Sequence, residues 1–249
     1  MIFLLIFIFY LIFQLSVFKV YSLNFESEKI TSEIKITQIS DFHDNKLINY
    51  KNLKDSIDKF KPDLIVLTGD IINRYTTNLS NVYSLLEIIE DYRVLFVEGN
   101  HEVDNLNKSI YKLLEEKNIE NISKSNISFT MKSQKINIYG NGFGKENYIK
   151  RNLKENEFNL LLTHNPHDFV NNYEKFDLVL SGHTHGGQVR LPILGQILDH
   201  GPTLFPKYSK GFYKVFSSLL YIDSGLGQSL YIRINDRISF TNIVLKTPK

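Results

Sequence analysis

Leu64-Ile65-Val66-Leu67-Thr68-Gly69-Asp70 is an unbroken apolar run that passes through a glycine into an acid. A short run without polar alternation fits a strand buried on both faces, the kind that fills a parallel sheet covered by helices. Upstream, Leu53, Ile57 and Phe60 recur at helical spacing until Pro62, so a helix ends at the proline and a strand begins. The unit recurs on either side. Ile34, Ile36 and Ile39 lead into Ser40-Asp41-Phe42-His43. Ser80 can cap a helix of Val82, Leu85, Leu86 and Ile89, which passes into Val94-Leu-Phe-Val97 and then Glu98-Gly99-Asn100-His101-Glu102. Alternating helices and strands predict an α/β core, with each polar cluster at the carboxyl end of its strand, on the rim where α/β sheets bind ligands.

The second half adds shorter units. A helix over Leu106, Ile110, Leu113 and Leu114 precedes two runs, Ile127 to Met131 and Ile136 to Tyr139, that form a hairpin around Lys132 to Lys135. Phe143 to Glu157, carrying Lys145, Lys150, Arg151 and Lys154, is expected to be a solvated helix face or one that meets an anionic substrate. Leu160-Leu-Leu162 ends in Thr163-His164-Asn165-Pro166, and Leu178-Val-Leu180 ends in Ser181-Gly-His183-Thr-His185-Gly-Gly-Gln188. Two histidines one residue apart, boxed by glycines, can turn both rings into one small volume. Leu219 to Ile222 and the alternating Leu230, Ile232 and Ile234 are expected to close a second sheet, so the core is a mixed α/β pair of sheets.

Asp41, His43, Asp70, Asn100, His164, His183 and His185 gather at these ends, offering carboxylate and amide oxygens and imidazole nitrogens. The chain has no cysteine, which excludes disulfides and thiolate chemistry and leaves nitrogen and oxygen to hold any metal. A single catalytic zinc takes about three protein ligands, so this larger set suits two ions sharing a bridge, and Asp70 is the natural bridge. Manganese, iron and zinc all accept such ligands. Two cations would lower the pKa of a bridging water, implying hydroxide as the nucleophile, and neutralise phosphate oxygens during in-line displacement. Singly, each residue has a plainer role: Asp41 and Asp70 as caps, Asn100 in a turn, His164 in the core. Jointly that account fails, because independent strand ends would all have to finish by accident in metal-competent residues. Formal charge is +2, from 29 basic and 27 acidic residues, which is not the footprint of a duplex-binding protein, so nucleic acid is not an expected partner.

The amino terminus differs. Ile2 to Phe18 is apolar and aromatic apart from Gln14 and Ser16, and is expected to be an uncleaved, single-pass transmembrane helix in the cell membrane rather than a signal sequence, since no basic residue precedes it. Residues 1–23 are thus read as a membrane anchor and residues 24–249 as one catalytic domain, beginning with a polar spacer from Asn24 to Ser32. Lys19 after the run leans toward a cytoplasmic domain, but long domains translocate regardless of charge, so both faces stay open.

In order, Asp41-x-His43, Gly69-Asp70, Gly99-Asn100-His101-Glu102, His164 and Gly182-His183-x-His185 resemble the calcineurin-like metallophosphoesterase superfamily. Gly186-Gly-Gln-Val-Arg-Leu-Pro192 and Gly225-Leu-Gly227 are similar to its bacterial membrane-associated branch, the YkuE and YaeI type. The resemblance implies a four-layer α-β-β-α sandwich of two mixed sheets. One metal would be held by Asp41, His43, Asp70 and His185, the other by Asp70, Asn100, His164 and His183, with His101 as general acid or transition-state stabiliser. It implies hydrolysis of phosphoesters, diesters above all, on a lipid-linked or nucleotide-lipid substrate. A nuclease or nucleotide phosphodiesterase is the enzymatic alternative, and a non-catalytic scaffold of the same fold the other. Where the family often has a second acid in Gly-Asp-x-x-Asp, this chain has Asn73, expected to accept a bond from the His101 ring and leave it less readily protonated. Arg237-Ile-Ser-Phe replaces the branch's Arg-Pro-Glu. Arg190 and Lys210 are candidates to meet substrate phosphate, while His167 and His200 are expected at the surface or behind the ligands.

Overall fold

Successive strand residues point to opposite faces, and this sorts the apolar side chains into layers. The computed structural model describes residues 1–144, 150–192, 195–197, 205–228 and 232–248. In chain order the elements are α1 (Ile2–Ser16), β1 (Lys19–Glu26), β2 (Ile34–Ile39), α2 (Tyr50–Phe60), β3 (Leu64–Leu67), α3 (Ser80–Ile88), β4 (Val94–Phe96), α4 (Asn100–Asp104), α5 (Ser109–Glu116), β5 (Glu120–Asn121), β6 (Asn126–Met131) and β7 (Gln134–Asn141). There follow β8 (Phe158–Thr163), α6 (Pro166–Asn171), β9 (Leu178–Ser181), β10 (Arg190–Leu191), β11 (Gly195–Gln196), β12 (Gly211–Val215), β13 (Ser218–Ile222) and β14 (Ser239–Lys246).

Two mixed sheets carry the fold, in the orders β1-β14-β2-β3-β4-β5 and β12-β13-β9-β8-β7-β6, beside a small β10-β11 pair. In the first sheet only β14 and β2 run antiparallel; in the second, only the edge pairs β12-β13 and β6-β7 do. Leu64 and Val66 of β3 face Leu160 and Leu162 of β8 and Leu178 and Leu180 of β9 in an apolar layer between the sheets. Their neighbours Ile65 and Leu67 point the other way, onto Leu53 and Ile57 of α2, Leu85 of α3 and Ile110 of α5. Leu161 and Val179 likewise pack on Phe169 of α6. The parallel pairing of β2, β3 and β4, and of β7, β8, β9 and β13, brings their carboxyl ends to a common rim, as expected.

Several expectations need correction. The apolar amino-terminal run forms a helix of 15 residues, which rises about 22 Å against about 30 Å of hydrocarbon, and no helix among the described residues is long and apolar enough to cross a membrane. The run stops at Ser16 because Lys19 to Glu26 pair, residue for residue, with Ser239 to Lys246. The end of the stretch read as anchor and the start of the spacer, Lys19 to Glu26, are therefore an edge strand. Leu106 lies outside α5 and is exposed, residues 150–157 form no helix, and Leu79 rather than Ser80 precedes α3, where the Asn78 side chain accepts from Ser80 N at 2.9 Å. Ile232 and Ile234 form no strand; a single bridge links Ile234 to Val189, and the strand near the carboxyl end, β14, joins the first sheet instead. Lys145, Leu230 and His200 lie outside the described residues.

The β1 pairing yields a prediction. Compared with a chain begun at Lys19, one begun at Asn24 loses the packed Val20 and Leu23 and the strand bonds around them, and should be less stable in urea by about 2 kcal/mol or more. Equal urea midpoints for the two fragments would refute the structural role of β1.

Candidate metal centre

Each strand reaches the rim and then turns back sharply, which requires unusual backbone. Asp41, His43, Asp70, His183 and His185 all have positive φ, between 47° and 72°, a conformation that side chains resist and that the surroundings must hold. Two glycines permit close approach: a Cβ at Gly99 would stand 2.1 Å from Asp70 Oδ1, and one at Gly182 would stand 2.3 Å from Asp41 Oδ2. Backbone bonds tie the loops together, Asp41 N to Gly69 O at 2.9 Å, His43 N to Asp70 O at 3.0 Å and Gly182 N to His164 O at 3.1 Å.

The residues named from the sequence meet here. One ligand atom each from Asp41, His43, Asp70 and His185 lie within 4.8 Å of one another, and the same holds for Asp70, His164 and His183. Asp70 belongs to both groups. Asn100 joins the second, its Oδ1 3.1 Å from His164 Nε2. All are buried except Asn100 and His183, which are partly exposed.

Hydrogen bonds fix which nitrogens face inward. His164 donates its Nδ1 proton to Thr68 O at 2.8 Å, so in the neutral ring Nε2 is a lone pair, and it faces His183 Nδ1 at 3.0 Å, Asn100 Oδ1 and Asp70 Oδ2 at 3.2 Å. Asn73 Nδ2 donates to His43 O at 2.8 Å, which leaves its Oδ1 to accept from His43 Nδ1 at 3.1 Å. His43 Nε2 is then a lone pair 3.1 Å from His185 Nε2 and 3.6 Å from Asp70 Oδ2. Acceptors that converge on acceptors are what cations relieve, so these residues fit a pair of divalent ions.

The titration of the metal-free cluster follows from burial and mutual charge. Burial pushes His43 down to about 3, His101 and His164 adding to the effect against Asp70, so the His43 ring is neutral. Burial also opposes charge on His164, but Asp70 and Asp41 outweigh it and raise the ring to about 10. For Asp70 burial acts upward, yet His164, His43 and His101 hold it well below the usual carboxylate range. Burial, with Asp70 nearby, lifts Asp41 to about 6 despite His164 and its bonds from Ser40 and His183.

His101 sits at the mouth, its Nε2 3.9 Å from Asp70 Oδ2. Its Nδ1 accepts the Arg74 backbone N–H at 2.9 Å, so in the neutral ring the proton is on Nε2. This corrects the expectation for Asn73, whose amide orients His43 instead. Burial lowers the His101 pKa, with Arg74 and His164 assisting against Asp70.

Sequence reading assigned no role to Glu102, although Gly99-x-x-Glu102 is half of a capping box. Its buried carboxylate accepts from Gly99 N and Asp70 N at 2.8 Å, Ile71 N at 2.7 Å and Ile72 N at 3.1 Å, clamping the Asp70 loop onto α4. Burial and Asp70 raise it to about 7. Phe143 was also missed; its ring centroid lies 5.7 Å from that of His183 and 6.2 Å from that of His164. Arg190 and Lys210 both bond within the protein. Arg190 Nη1 donates to Gly186 O at 2.7 Å, and Lys210 Nζ lies 2.6 Å from Asp236 Oδ1. His167 packs edge-on to Tyr208, their ring centroids 6.0 Å apart.

A pocket of this chemistry on the shared rim of two mixed sheets belongs to a hydrolase of phosphoesters. The family model for calcineurin-like phosphoesterases matches residues 34–187, and the chain belongs to that family. It is 29% identical over 244 residues to the metallophosphoesterase YkuE of Bacillus subtilis (strain 168), the match covering 86% of this chain and 79% of the relative. It is 27% identical over 222 residues to the phosphodiesterase YaeI of Escherichia coli (strain K12), covering 85% and 82%. Among solved structures, the 5'-nucleotidase precursor of Thermus thermophilus shares the fold, with a TM-score of 0.53 and 11% identity over 87% of this chain and 55% of that one.

Two outcomes are expected. Ion uptake at neutral pH displaces the His164 proton, so affinity should rise with pH and fall as Asp41 protonates below about 6; calorimetry in buffers of different ionisation enthalpy should show proton release. Binding heats independent of buffer would contradict it. Glu102→Gln turns an amide toward backbone N–H groups and should cost about 2 to 3 kcal/mol in urea unfolding; an unchanged midpoint would remove the clamp.

Proposed function

We propose that the chain is a phosphodiesterase working with two divalent ions, one held by Asp41, His43, Asp70 and His185 and the other by Asp70, Asn100, His164 and His183. The observation that carries this reading is the single Asp70 carboxylate common to both groups, with His101 beside it. Bound there, divalent cations such as manganese, iron or zinc supply neutralisation of phosphate charge and a lowered pKa for water. The chain's own residues do the rest. Asn73 and Thr68 hold the His43 and His164 rings so that Nε2 faces inward. Arg74 N keeps the proton of the neutral His101 ring on Nε2, where it can donate a hydrogen bond to the negative charge that builds on the oxygens as the phosphoester bond breaks. YaeI, a relative, is named a phosphodiesterase, which supports the diester over the monoester. The intact ligand set speaks against a scaffold.

A lipid-linked substrate at the cell membrane is the finer part of the proposal, and α1 supports it. Ile2, Phe3, Leu4, Leu5, Ile6 and Phe9 are all exposed on this helix. Its base is bonded beside the rim, Leu15 O accepting from Asn45 Nδ2 at 3.3 Å and Tyr10 Oη from Asn235 N at 2.9 Å. An apolar patch of that kind suits insertion into lipid next to the site.

The full chain with manganese should hydrolyse bis-p-nitrophenyl phosphate. Asp70→Ala should abolish turnover, and His101→Gln should lower kcat by about 10²- to 10⁴-fold while both ions stay bound. Turnover untouched by Asp70→Ala would end the catalytic reading. Phosphatidylcholine vesicles should float the wild type but not a Phe3→Ser, Ile6→Ser, Phe9→Ser variant; equal flotation would end the membrane reading alone.

A further inference from the structure

Among the described residues Arg233 is the bulkiest side chain fully shut off from solvent, and nothing in the chemistry above uses it. A guanidinium carries five donors in a planar fork and is costly to bury unless that fork finds acceptors; Nε finds none among the described residues, and the two Nη atoms carry the pairing. Here Nη2 donates to Ser224 O and Gly227 O, each at 2.6 Å. Nη1 donates to Asp236 Oδ2 and Asp236 O, each at 3.1 Å, and reaches His185 O at 3.4 Å. Asp236 is itself buried, and its Oδ1 accepts from Lys210 Nζ at 2.6 Å and Ser224 Oγ at 3.2 Å.

These partners sit behind two particular ligands. Gly225 to Gly227 back Asp41: Leu226 N donates to Ser40 O at 2.9 Å, Gly227 N donates to Asp41 O at 2.7 Å, and a Cβ at Gly225 would stand 2.5 Å from Asp41 Cβ. The turn His185–Gly187 lies against the other side of the guanidinium and its carboxylate. A Cβ at Gly186 would stand 2.2 Å from Asp236 Oδ2 and 2.5 Å from Ser224 Oγ. Asp41 and His185 both belong to the first ligand group, and neither belongs to the second.

We propose that Arg233 is a positioning residue for the first ion: one buried guanidinium holds the backing of Asp41 and the turn of His185 at a fixed separation, while no hydrogen bond joins it to Asp70, Asn100, His164 or His183, whose link to that backing is His183 N, donating to Asp41 Oδ1 and Oδ2 at 3.1 and 3.0 Å. This rests on the two-ion reading. Lysine cannot substitute, because a point charge with three donors cannot span carbonyls that a planar fork reaches from two nitrogens.

The test uses the full chain and manganese alone as the probe. Wild type, Arg233→Lys and Arg233→Met are compared by bound metal content, by the spin-coupled electron paramagnetic resonance signal of a manganese pair, and by metal-free thermal unfolding. The wild type should hold two ions. Both variants should bind one of the two about 10- to 100-fold more weakly, lose the coupled signal and keep the other ion, with kcat falling more than KM. Arg237→Met, whose guanidinium bonds Phe18 O, should keep both. Variants that retain both ions at wild-type affinity, or lose both in parallel, overturn the proposal. If Arg233→Met does not fold, Arg233→Lys, which keeps the charge, decides it. A wild type with fewer than two ions overturns the two-ion reading along with it, whereas a two-ion wild type with intact variants overturns this proposal alone.

Discussion

One carboxylate, that of Asp70, has to face two groups of ligands from a backbone conformation that L side chains avoid. Its φ of 53° costs on the order of 1 to 3 kcal/mol, and the neighbours that meet this cost are specific. Glu102 gathers the amide hydrogens of Asp70, Ile71 and Ile72 from below, and His101 N donates to Asp70 Oδ1 at 2.8 Å from the side. Gly99 leaves the space in which that oxygen sits. The strain is held by the first turn of α4, and the same turn carries Asn100 and His101. Asn100, His101 and the Glu102 clamp are therefore one short piece of chain, placed by one set of hydrogen bonds.

Parallel pairing does the rest of the assembly. In both sheets the central strands run the same way, so their carboxyl ends are neighbours in space although they lie far apart in sequence. Leu64 and Val66 must face the second sheet while Ile65 and Leu67 face the helices. Slipping β3 by one residue would exchange those faces, so the apolar alternation that fixes its register also fixes where Asp70 emerges. The core thus determines the site's geometry as directly as the ligands' own bonds do.

The amino-terminal helix stands apart from this economy. From Ile2 to Phe9 it exposes apolar side chains, while its last turn is sewn to the domain through Gln14 O, which accepts from Ile238 N at 3.1 Å, and through Leu15 O. Arg237 lies over the Phe13 ring at 5.2 Å and bonds Phe18 O, and Ile238, standing where the branch's pattern has a proline, keeps the N–H that reaches Gln14 O, so this departure from the pattern serves the junction of helix and sheet.

Much of this was legible without coordinates. Apolar runs ending in acids and imidazoles announced both the α/β alternation and the side chains that converge at the rim, because strand burial and metal-competent chemistry each leave a local mark: a short run without polar breaks, and acids and imidazoles at its end. What left no local mark was partnership. Nothing near Asn73 tells whether its amide meets His101 or His43; that depends on how two strand ends are juxtaposed. Arg233 reads as a cation among apolar residues and becomes a clamp only when Ser224, Gly227, His185 and Asp236 surround it. The run of Ile2 to Phe18 has the hydropathy of a membrane span, yet its end is set by pairing with β14 more than two hundred residues away, an interaction that no window of sequence contains. Local composition thus determined the elements and the chemistry they can support; long-range hydrogen bonding and packing decided which groups face each other, because those contacts exist only once the two sheets have closed.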